Sequence, residues 1–507
     1  MAGRWLMVAA GLVAFNVAAA QSDAQASGAP SDKAELQNRV DQLEQIVTRL
    51  QQRLDQLEQK PAGSTTAVSA SDAIRATAPT DERIEALDQK LRVIERKSEL
   101  KDEDAAAREK EKPLVSVGRE GFSISSPDKN YRLKFSGLIQ ADNRTFFDDG
   151  SHLVTDTFLI RRLRPIFEGT VGKYVDFRFQ PDFGGGTAVL FDAYADLKFR
   201  PYAVLRGGKT KTPLGLELLQ NDVDLTFIER ALPSDLVPNR DEGFQLYGDI
   251  PGGISYAVAV LNGAPDGTNI DGDANDGKDV AGRMFLTPFA KSGPAVLKGL
   301  GFGVGVTSGR QNGATLPLLK TTGGMATFFA YGSGSGATAV TPIAAGNRLR
   351  YSPQLYYYNG PFGLIAEYVE SGQQVSATVS GAKESRDITN HSWQVAGSWV
   401  VTGEHKSYKG VAPKKSLDGR KNAGFGAWEI AGRYSELNVD RTAFSAKFAD
   451  ITKSAEAARA WALGVNWYLS RNTKLSFDYE QTKFQGGATV GNRPTEKALL
   501  NRLQVSF

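Results

Sequence analysis

Arg162 and Arg164 have the type and spacing of a binding pair. Across the segment 158–168, Phe158, Ile160, Arg162, Arg164, Ile166 and Glu168 share one parity, and Leu159, Arg161, Leu163, Pro165 and Phe167 share the other. Neighbouring side chains of a strand diverge, so this spacing sends Arg162 and Arg164 to one face together. A guanidinium stays charged at any ordinary pH and offers several N–H donors in a fixed fork. Its chemistry is to hold oxyanions, not to make or break bonds. Arg161 has the opposite parity and falls on the apolar face unless a bulge turns it. Turned into an apolar medium it would cost about 2–4 kcal/mol, so an interface, a subunit contact or a bulge is expected there.

The same parity puts Arg178, Lys198, Arg206, Arg283, Arg348 with Arg350, Arg433, Lys474 and Arg502 on polar strand faces. Arginines spread along a wall give an anion several weak sites to step between. Those faces also carry Asp142, Asp176, Asp192, Asp196, Glu429 and Asp478, so some of the cations are expected to be paired,. Catalytic readings fail. His152, His391 and His405 are the only histidines and lack ligand or triad spacing,. The segment 271–277 resembles the start of a calcium loop, but Gly282 stands where the closing glutamate belongs,. Gly184-Gly185-Gly186 is not followed by Lys-Thr and reads as a turn,. No enzyme activity, metal or cofactor is expected.

The elements that must position these residues are short alternating strands. The chain ends with Leu499, Leu503, Val505 and Phe507 on one face and Arg502, Gln504 and Ser506 on the other. That is the pattern of a closing strand in an outer-membrane barrel. Strands are expected near 131–144, 157–171, 174–182, 189–199, 203–209, 243–250, 253–261 and 279–287. Eight more follow near 300–309, 347–357, 362–371, 390–402, 425–436, 459–469, 473–484 and 498–507. The total is about sixteen, an even number as single-chain barrels require. Trp461, Leu463, Val465 and Trp467 bracket an aliphatic middle with aromatics, as an interfacial girdle does,. Tight turns at 170–173 and 200–202 suit the periplasmic side. The long segments 209–242, 262–278, 311–346 and 372–389 would be external or folded inward,.

The 507-residue length suits a large barrel with an appendage, and no apolar run after the N-terminus is long enough for a transmembrane helix,. There are 53 glycines and no cysteine, which excludes disulfides, thiolate metal sites and cysteine nucleophiles,. Residues 1–20 read as a signal peptide, with a basic start, an apolar middle and a small-residue cleavage site,. Within 33–59, Leu36, Val40, Leu43, Val47, Leu50, Leu54 and Leu57 form a heptad seam, a coiled coil too short to be stable alone,. A single amphipathic helix lying on another surface would show the same seam. The stretch 60–112 reads as a flexible linker carrying a second short helix marked by Ile84, Leu87, Leu91 and Ile94, and 113–507 as the barrel,. Lys and Arg number 15 against 19 Asp and Glu over 22–112, and 44 against 38 over 113–507. The positive excess therefore lies in the barrel, which favours anionic traffic.

Several stretches resemble the phosphate-selective porins O and P of Gram-negative outer membranes. They are 158–162, 227–230, 402–409, 426–429, 464–468 and 502–507. The resemblance implies a sixteen-stranded trimeric barrel in the outer membrane, with an arginine ladder leading to a lysine-rich constriction. It places Arg161 and Arg162 at the paired arginines of the ladder and Arg230 in a third loop that folds inward. Lys409 falls in a basic turn, shared with Lys406, Lys414, Lys415, Arg420 and Lys421, that enters the pore from the periplasm. Members specific for phosphate offer basic residues where this chain has Leu138, Asp176 and the segment 217–220, so a broader anion channel is implied. The heptad's β-branched positions nominally favour two strands, against the trimer; the sequence leaves this open.

The expected function is thus a passive, anion-preferring porin for phosphate or similar small oxyanions. Its partners would be outer-membrane lipid, small anions and two further copies of the chain, with peptidoglycan reached through a periplasmic coiled coil; nothing points to nucleic acid. Two alternatives stay open. One is a general or sugar porin using Tyr356, Tyr357 and Tyr358 as stacking surfaces, and the other is a tethering protein anchored by its barrel.

Overall fold

The computed structural model describes residues 78–118, 120–147, 154–273, 275–418 and 424–507. The expected signal peptide and the heptad seam at 33–59 lie outside the described residues, as do Arg420 and Lys421.

Helix α1 spans Ala78–Glu111, far longer than the short helix marked by the apolar spacing. Its length follows from composition, because Glu, Lys, Arg, Ala and Leu are strong helix formers and pair at helical spacing. Arg92 lies 2.8 Å from Asp88 and Arg96 2.9 Å from Glu99. The side chains of Leu91 and Ile94 are exposed.

Sixteen antiparallel strands form the barrel. The first eight are β1 (Tyr131–Phe147), β2 (Thr157–Val171), β3 (Val175–Asp182), β4 (Val189–Arg200), β5 (Ala203–Thr210), β6 (Asp241–Ile250), β7 (Ile254–Leu261) and β8 (Asp279–Leu286). The second eight are β9 (Leu300–Asn312), β10 (Ile343–Asn359), β11 (Phe362–Val379), β12 (Ala382–Val400), β13 (Ala427–Asn438), β14 (Ala455–Tyr468), β15 (Thr473–Gly486) and β16 (Glu496–Ser506). Each pairs with its neighbour in sequence, and β16 closes on β1 from Lys497 opposite Phe147 to Ser506 opposite Leu138. Closure leaves no barrel edge, so every strand backbone can be satisfied within the wall. Phe507 completes the seam. Its backbone exchanges hydrogen bonds with Gly137 at 2.8 and 3.1 Å, and its ring lies where a Cβ on Gly137 would sit, 2.6 Å from Cζ. Just beyond that seam a leading hairpin (114–118 and 121–125) pairs Phe122 to Ser125 with Phe135 to Arg132 of β1.

Alternation of side chains is as the sequence implies. In β14 Leu463 and Val465 are exposed between Trp461 and Trp467, while Ala460, Ala462 and Asn466 are buried within the lumen. In β15 the lumen side carries Lys474, Ser476, Asp478 and Glu480. One connection differs from expectation. The segment 372–389 is not a loop but the outer half of the β11 and β12 hairpin, paired down to Val379 opposite Ala382. Ser380 and Gly381 both have positive φ, 51° and 84°, as a two-residue hairpin turn requires,.

The lumen is largely filled. The connection 211–240 folds inward and packs Leu214, Leu218, Leu232 and Leu236 against Phe328 and Phe329 of the 313–342 connection and Val369, Val375, Ile388 and Leu437 of β11 to β13. Burying these side chains anchors the loop by the hydrophobic effect, at about 25 cal/mol per Å² removed from water. The polar space that remains lies along β1 to β8.

Candidate pore constriction

The arginine pair of β2 is shaped by a β-bulge. Gln140 of β1 faces Arg162, but the next residue, Ala141, faces Ile160, so Arg161 has no cross-strand partner. The extra residue turns Arg161 inward beside Arg162 and Arg164, at no lipid-facing cost. It also reverses parity across the bulge. Phe158 and Ile160 are exposed on the outer wall, contrary to their expected place on the face of Arg162. Gly184 packs against the bulge, where a Cβ would meet the carbonyl oxygen of Arg161 at 2.5 Å.

Two carboxylates of the inward connection meet these arginines. Glu229 accepts from Arg161 Nε at 2.7 Å, from Arg144 Nη2 at 2.6 Å and from Arg502 Nη2 at 3.3 Å, and Arg162 Nη2 lies 3.7 Å away. Asp222 accepts from Arg230 Nη1 at 2.7 Å and from Arg164 Nη1, with Arg162 Nη2 at 3.4 Å. Arg162 also donates to Gln140 at 2.6 Å, and Arg164 to Asp182 at 2.6 Å while its guanidinium stacks on Phe191. Burial works to raise the pKa of both loop carboxylates, but the surrounding arginines outweigh it and hold them well below the usual carboxylate range,.

A cavity lies on each side of this junction. The outer one, about 310 Å³, is lined by Arg161, Arg162, Arg164, Arg230, Glu229, Asp235 and Lys320, among others. The other, about 820 Å³, opens toward the short turns 201–202 and 251–253, the end that is periplasmic in such barrels, and is lined by eight Lys and Arg against five Asp and Glu,. Arg164 is the residue common to both linings. Among the described residues three of the larger cavity's cations, Lys211, Arg283 and Lys409, make no ion pair, against two of its carboxylates, Asp224 and Asp249. Lys211 donates to the carbonyls of Leu218 and Gln220 at 2.7 Å each, and Arg283 donates to Gln354 at 2.9 Å. Burial pushes the Lys211 ammonium down from its ordinary pKa, and Arg240 and Arg230 add to the effect.

The other sequence-selected residues separate into two groups. Arg178 lines the periplasmic cavity but is tied to Glu168 and Gln180, with Asp192 at 3.6 Å. Lys409 is exposed and borders both that cavity and a side opening of about 310 Å³. Its turn meets the inward connection. Tyr408 donates to Leu216 O at 2.5 Å, and buried Lys406 binds Glu429 at 2.6 Å and Thr226 at 2.9 Å. Arg348, Arg350 and Arg433 line neither the outer nor the periplasmic cavity. Arg348 and Arg350 bind Asp279 at 2.7 and 3.0 Å, and Arg350 binds Asp266 at 2.6 Å, pinning the 262–278 connection. Arg433 binds Glu480 at 2.8 Å and the carbonyl of Glu229 at 2.7 Å, holding the inward connection. The residues not singled out from sequence are Arg144, Lys211, Asp222 and Glu229. Glu229 stood in a quoted motif, but its partners come from β1, β2 and β16, and no local spacing reveals them.

Residues 133–507, from the start of β1 to the end of β16, match the family Phosphate-selective porin O and P. Porin O of Pseudomonas aeruginosa is 24% identical over 421 residues, covering 78% of this chain and 92% of that protein. Among solved structures, the outer membrane channel DcaP of Acinetobacter baumannii has a TM-score of 0.48 at 9% identity, over 75% of this chain and 98% of its own. An anion-selective porin from Comamonas acidovorans has a TM-score of 0.45 at 12% identity, over 74% of this chain and 100% of its own. With the closed barrel and the inward connection in place, the chain belongs to the phosphate-selective porin O and P family, outer-membrane channels that conduct passively and catalyse nothing.

Proposed function

We propose that the chain is a passive, anion-preferring diffusion channel for phosphate or similar small oxyanions. Solutes would pass from the outer cavity across the Arg162, Arg164 and Arg230 junction into the periplasmic vestibule. The observation that carries this reading is the cationic lining of that vestibule, eight Lys and Arg against five Asp and Glu, where among the described residues the unpaired cations Lys211, Arg283 and Lys409 outnumber the unpaired carboxylates Asp224 and Asp249. A cationic, partly desolvated wall concentrates anions and repels cations. Arginines already saturated by carboxylates, Arg178 among them, serve mainly to shape the wall. Family membership supports phosphate as the leading solute. Leu138, which lines the vestibule in place of a basic residue, favours a broader oxyanion range.

The homotrimer, the cleaved signal peptide at 1–20, and a periplasmic coiled coil at 33–59 reaching peptidoglycan belong to the same proposal and rest on the sequence. Chloride current through the purified protein in planar bilayers tests the oxyanion reading. Inorganic phosphate added at neutral pH is expected to reduce that current in a saturable way. Current unaffected by millimolar phosphate would refute it.

A further inference from the structure

On the outer face of the wall, Arg459 of β14 stands directly opposite Lys483 of β15. Like charges facing each other across an antiparallel pair destabilise it. Lys497 of β16 faces Gln481 on the far side of β15, one step nearer the membrane centre. Lys483 is exposed and makes no ion pair among the described residues. Arg459 is 46% exposed and meets one carboxylate, Glu436 of β13, at 3.1 Å; Asn438 donates to the same oxygen at 3.1 Å. Glu456, nearer the rim, is taken by Arg441 at 3.6 Å and Gln485 at 2.9 Å. Glu480 and Glu496 point into the lumen, where Arg433, Thr321 and the backbone N–H of Gly324 hold them. Compensation for the facing pair must therefore come from outside the barrel.

The patch stands at the height of a lipid headgroup. The short turn 469–472 joins β14 to β15 at the periplasmic end, and the longer connections 439–454 and 487–495 leave the opposite end, so these cations lie in the outer half of the membrane,. Tyr434 faces Trp461, and Trp461 faces Gln481, in one row with Lys497. Trp461 packs on Tyr479 and Tyr434 on Trp393, each pair with ring centroids 5.4 Å apart. Such aromatics mark the boundary between acyl chains and headgroups. Toward the membrane centre Leu463, Val465 and Phe477 are exposed, as a surface for acyl chains must be.

We propose that Arg459, Lys483 and Lys497, with Gln481 among them, form a binding site for a phosphorylated glycolipid of the outer leaflet. A phosphate seated between Arg459 and Lys483 removes the repulsion built into that pair, and its lipid body covers the apolar rows beneath. The class of lipid follows from the span. Arg459 and Lys497 are two strands apart, about 10 Å, which is wider than one phosphate. A sugar headgroup phosphorylated at both ends bridges that distance, with its ring over Trp461 and a hydrogen bond to the Gln481 amide between the two charges. The site faces lipid, so it stands whatever solute the lumen conducts.

The test titrates the full-length protein in nonionic detergent micelles with bisphosphorylated lipid A, bound lipid being counted by native mass spectrometry. The parent is expected to bind it saturably and to prefer it to phosphatidylglycerol, which carries one phosphate and no sugar. Arg459→Gln combined with Lys483→Gln should weaken binding about thirtyfold, equivalent to about 2 kcal/mol for two cations at a headgroup. Lys483→Gln alone breaks no ion pair among the described residues and should cost about fivefold, so the test stands even if the double variant fails to fold. Lys383→Gln with Arg386→Gln, two exposed cations farther out on β12, should stay within about twofold of the parent, which general charge attraction would not produce,. Equal binding by the parent and Lys483→Gln overturns the proposal, and so does phosphatidylglycerol held as tightly as lipid A. Lipid binding that appears only after dissociation to single barrels would assign this face to a neighbouring copy and overturn it as well. The zero-current potential of Lys483→Gln in planar bilayers should equal the parent's; a shift would put Lys483 in the conducting path and contradict a lipid site.

Discussion

Glu229 should be the most costly single charge to remove from the lumen. Glu229→Gln conserves volume and one acceptor oxygen but deletes a negative charge that lies 2.6 Å from Arg144, 2.7 Å from Arg161, 3.3 Å from Arg502 and 3.7 Å from Arg162. Three of these cations keep another carboxylate. Asp142 remains with Arg502 at 2.6 Å and with Arg144 at 3.1 Å, and Asp222 remains near Arg162. Arg161 loses its only ion-pair partner among the described residues. Breaking one side of a buried ion pair costs about 3–5 kcal/mol. Arg161 keeps a quarter of its side chain exposed and can rehydrate from the outer cavity, so the lower end of that range applies. With a urea dependence of about 2–3 kcal/mol per M, the unfolding midpoint should drop by roughly 1–2 M. Urea unfolding of the refolded barrel in detergent can be followed by fluorescence, because Trp393, Trp399, Trp428, Trp461 and Trp467 all lie on β12 to β14. A midpoint within about 0.2 M of the parent would show that Glu229 does not anchor the inward connection to the arginine wall.

Arg164→Met, which removes the residue common to both cavities, should move the zero-current potential toward neutrality, whereas Arg348→Met should leave it unchanged and lower only the unfolding midpoint, since Arg348 binds Asp279 away from either cavity. Asp235, in the outer cavity, is pushed up to about 7 by burial, against the opposing hydrogen bond from the Lys320 backbone and with Asp266 adding to the rise. It is neutral below that pH and anionic above it, so anion preference should weaken as pH rises through about 7, and Asp235→Asn should abolish that step in bilayer titrations. Gly137→Val places atoms against the Phe507 ring at the closing seam; a penalty of about 1–3 kcal/mol from overpacking should lower the folded fraction read by heat-modifiable gel mobility,.

Strand periodicity was the most legible part of the fold, because lipid on one side and water on the other impose a strict two-residue alternation. Trp461 to Trp467 and the terminal 498–507 show it without ambiguity. The limits of local reading appear at the bulge. Alternation alone put Phe158 and Ile160 on the face of Arg162, and only the register with Gln140 and Ala141 reveals that Arg161 is the extra residue. The segment 372–389 read as a connection because Gln, Ser and Thr replace aliphatic residues where β11 and β12 extend toward Ser380 and Gly381, so polarity imitated a loop. The constriction was half legible. Its arginines are regular strand positions, but which of them stay unneutralised depends on Asp222 and Glu229, delivered by a connection whose path is set by Leu214, Leu218, Leu232 and Leu236 packing across the lumen. Such contacts reach far across the sequence, 360 residues for Arg502 with Asp142, and no window of residues encodes them.

The most direct measurement is the zero-current potential of the purified protein in a planar bilayer under a tenfold KCl gradient. A vestibule in which, among the described residues, the unpaired cations Lys211, Arg283 and Lys409 outnumber the unpaired carboxylates Asp224 and Asp249 gives the sign of chloride flowing down its gradient, and neutralising those three cations together moves the value toward zero. A potential of potassium sign in the parent protein, or one unmoved by the triple substitution, would contradict an anion path along this wall.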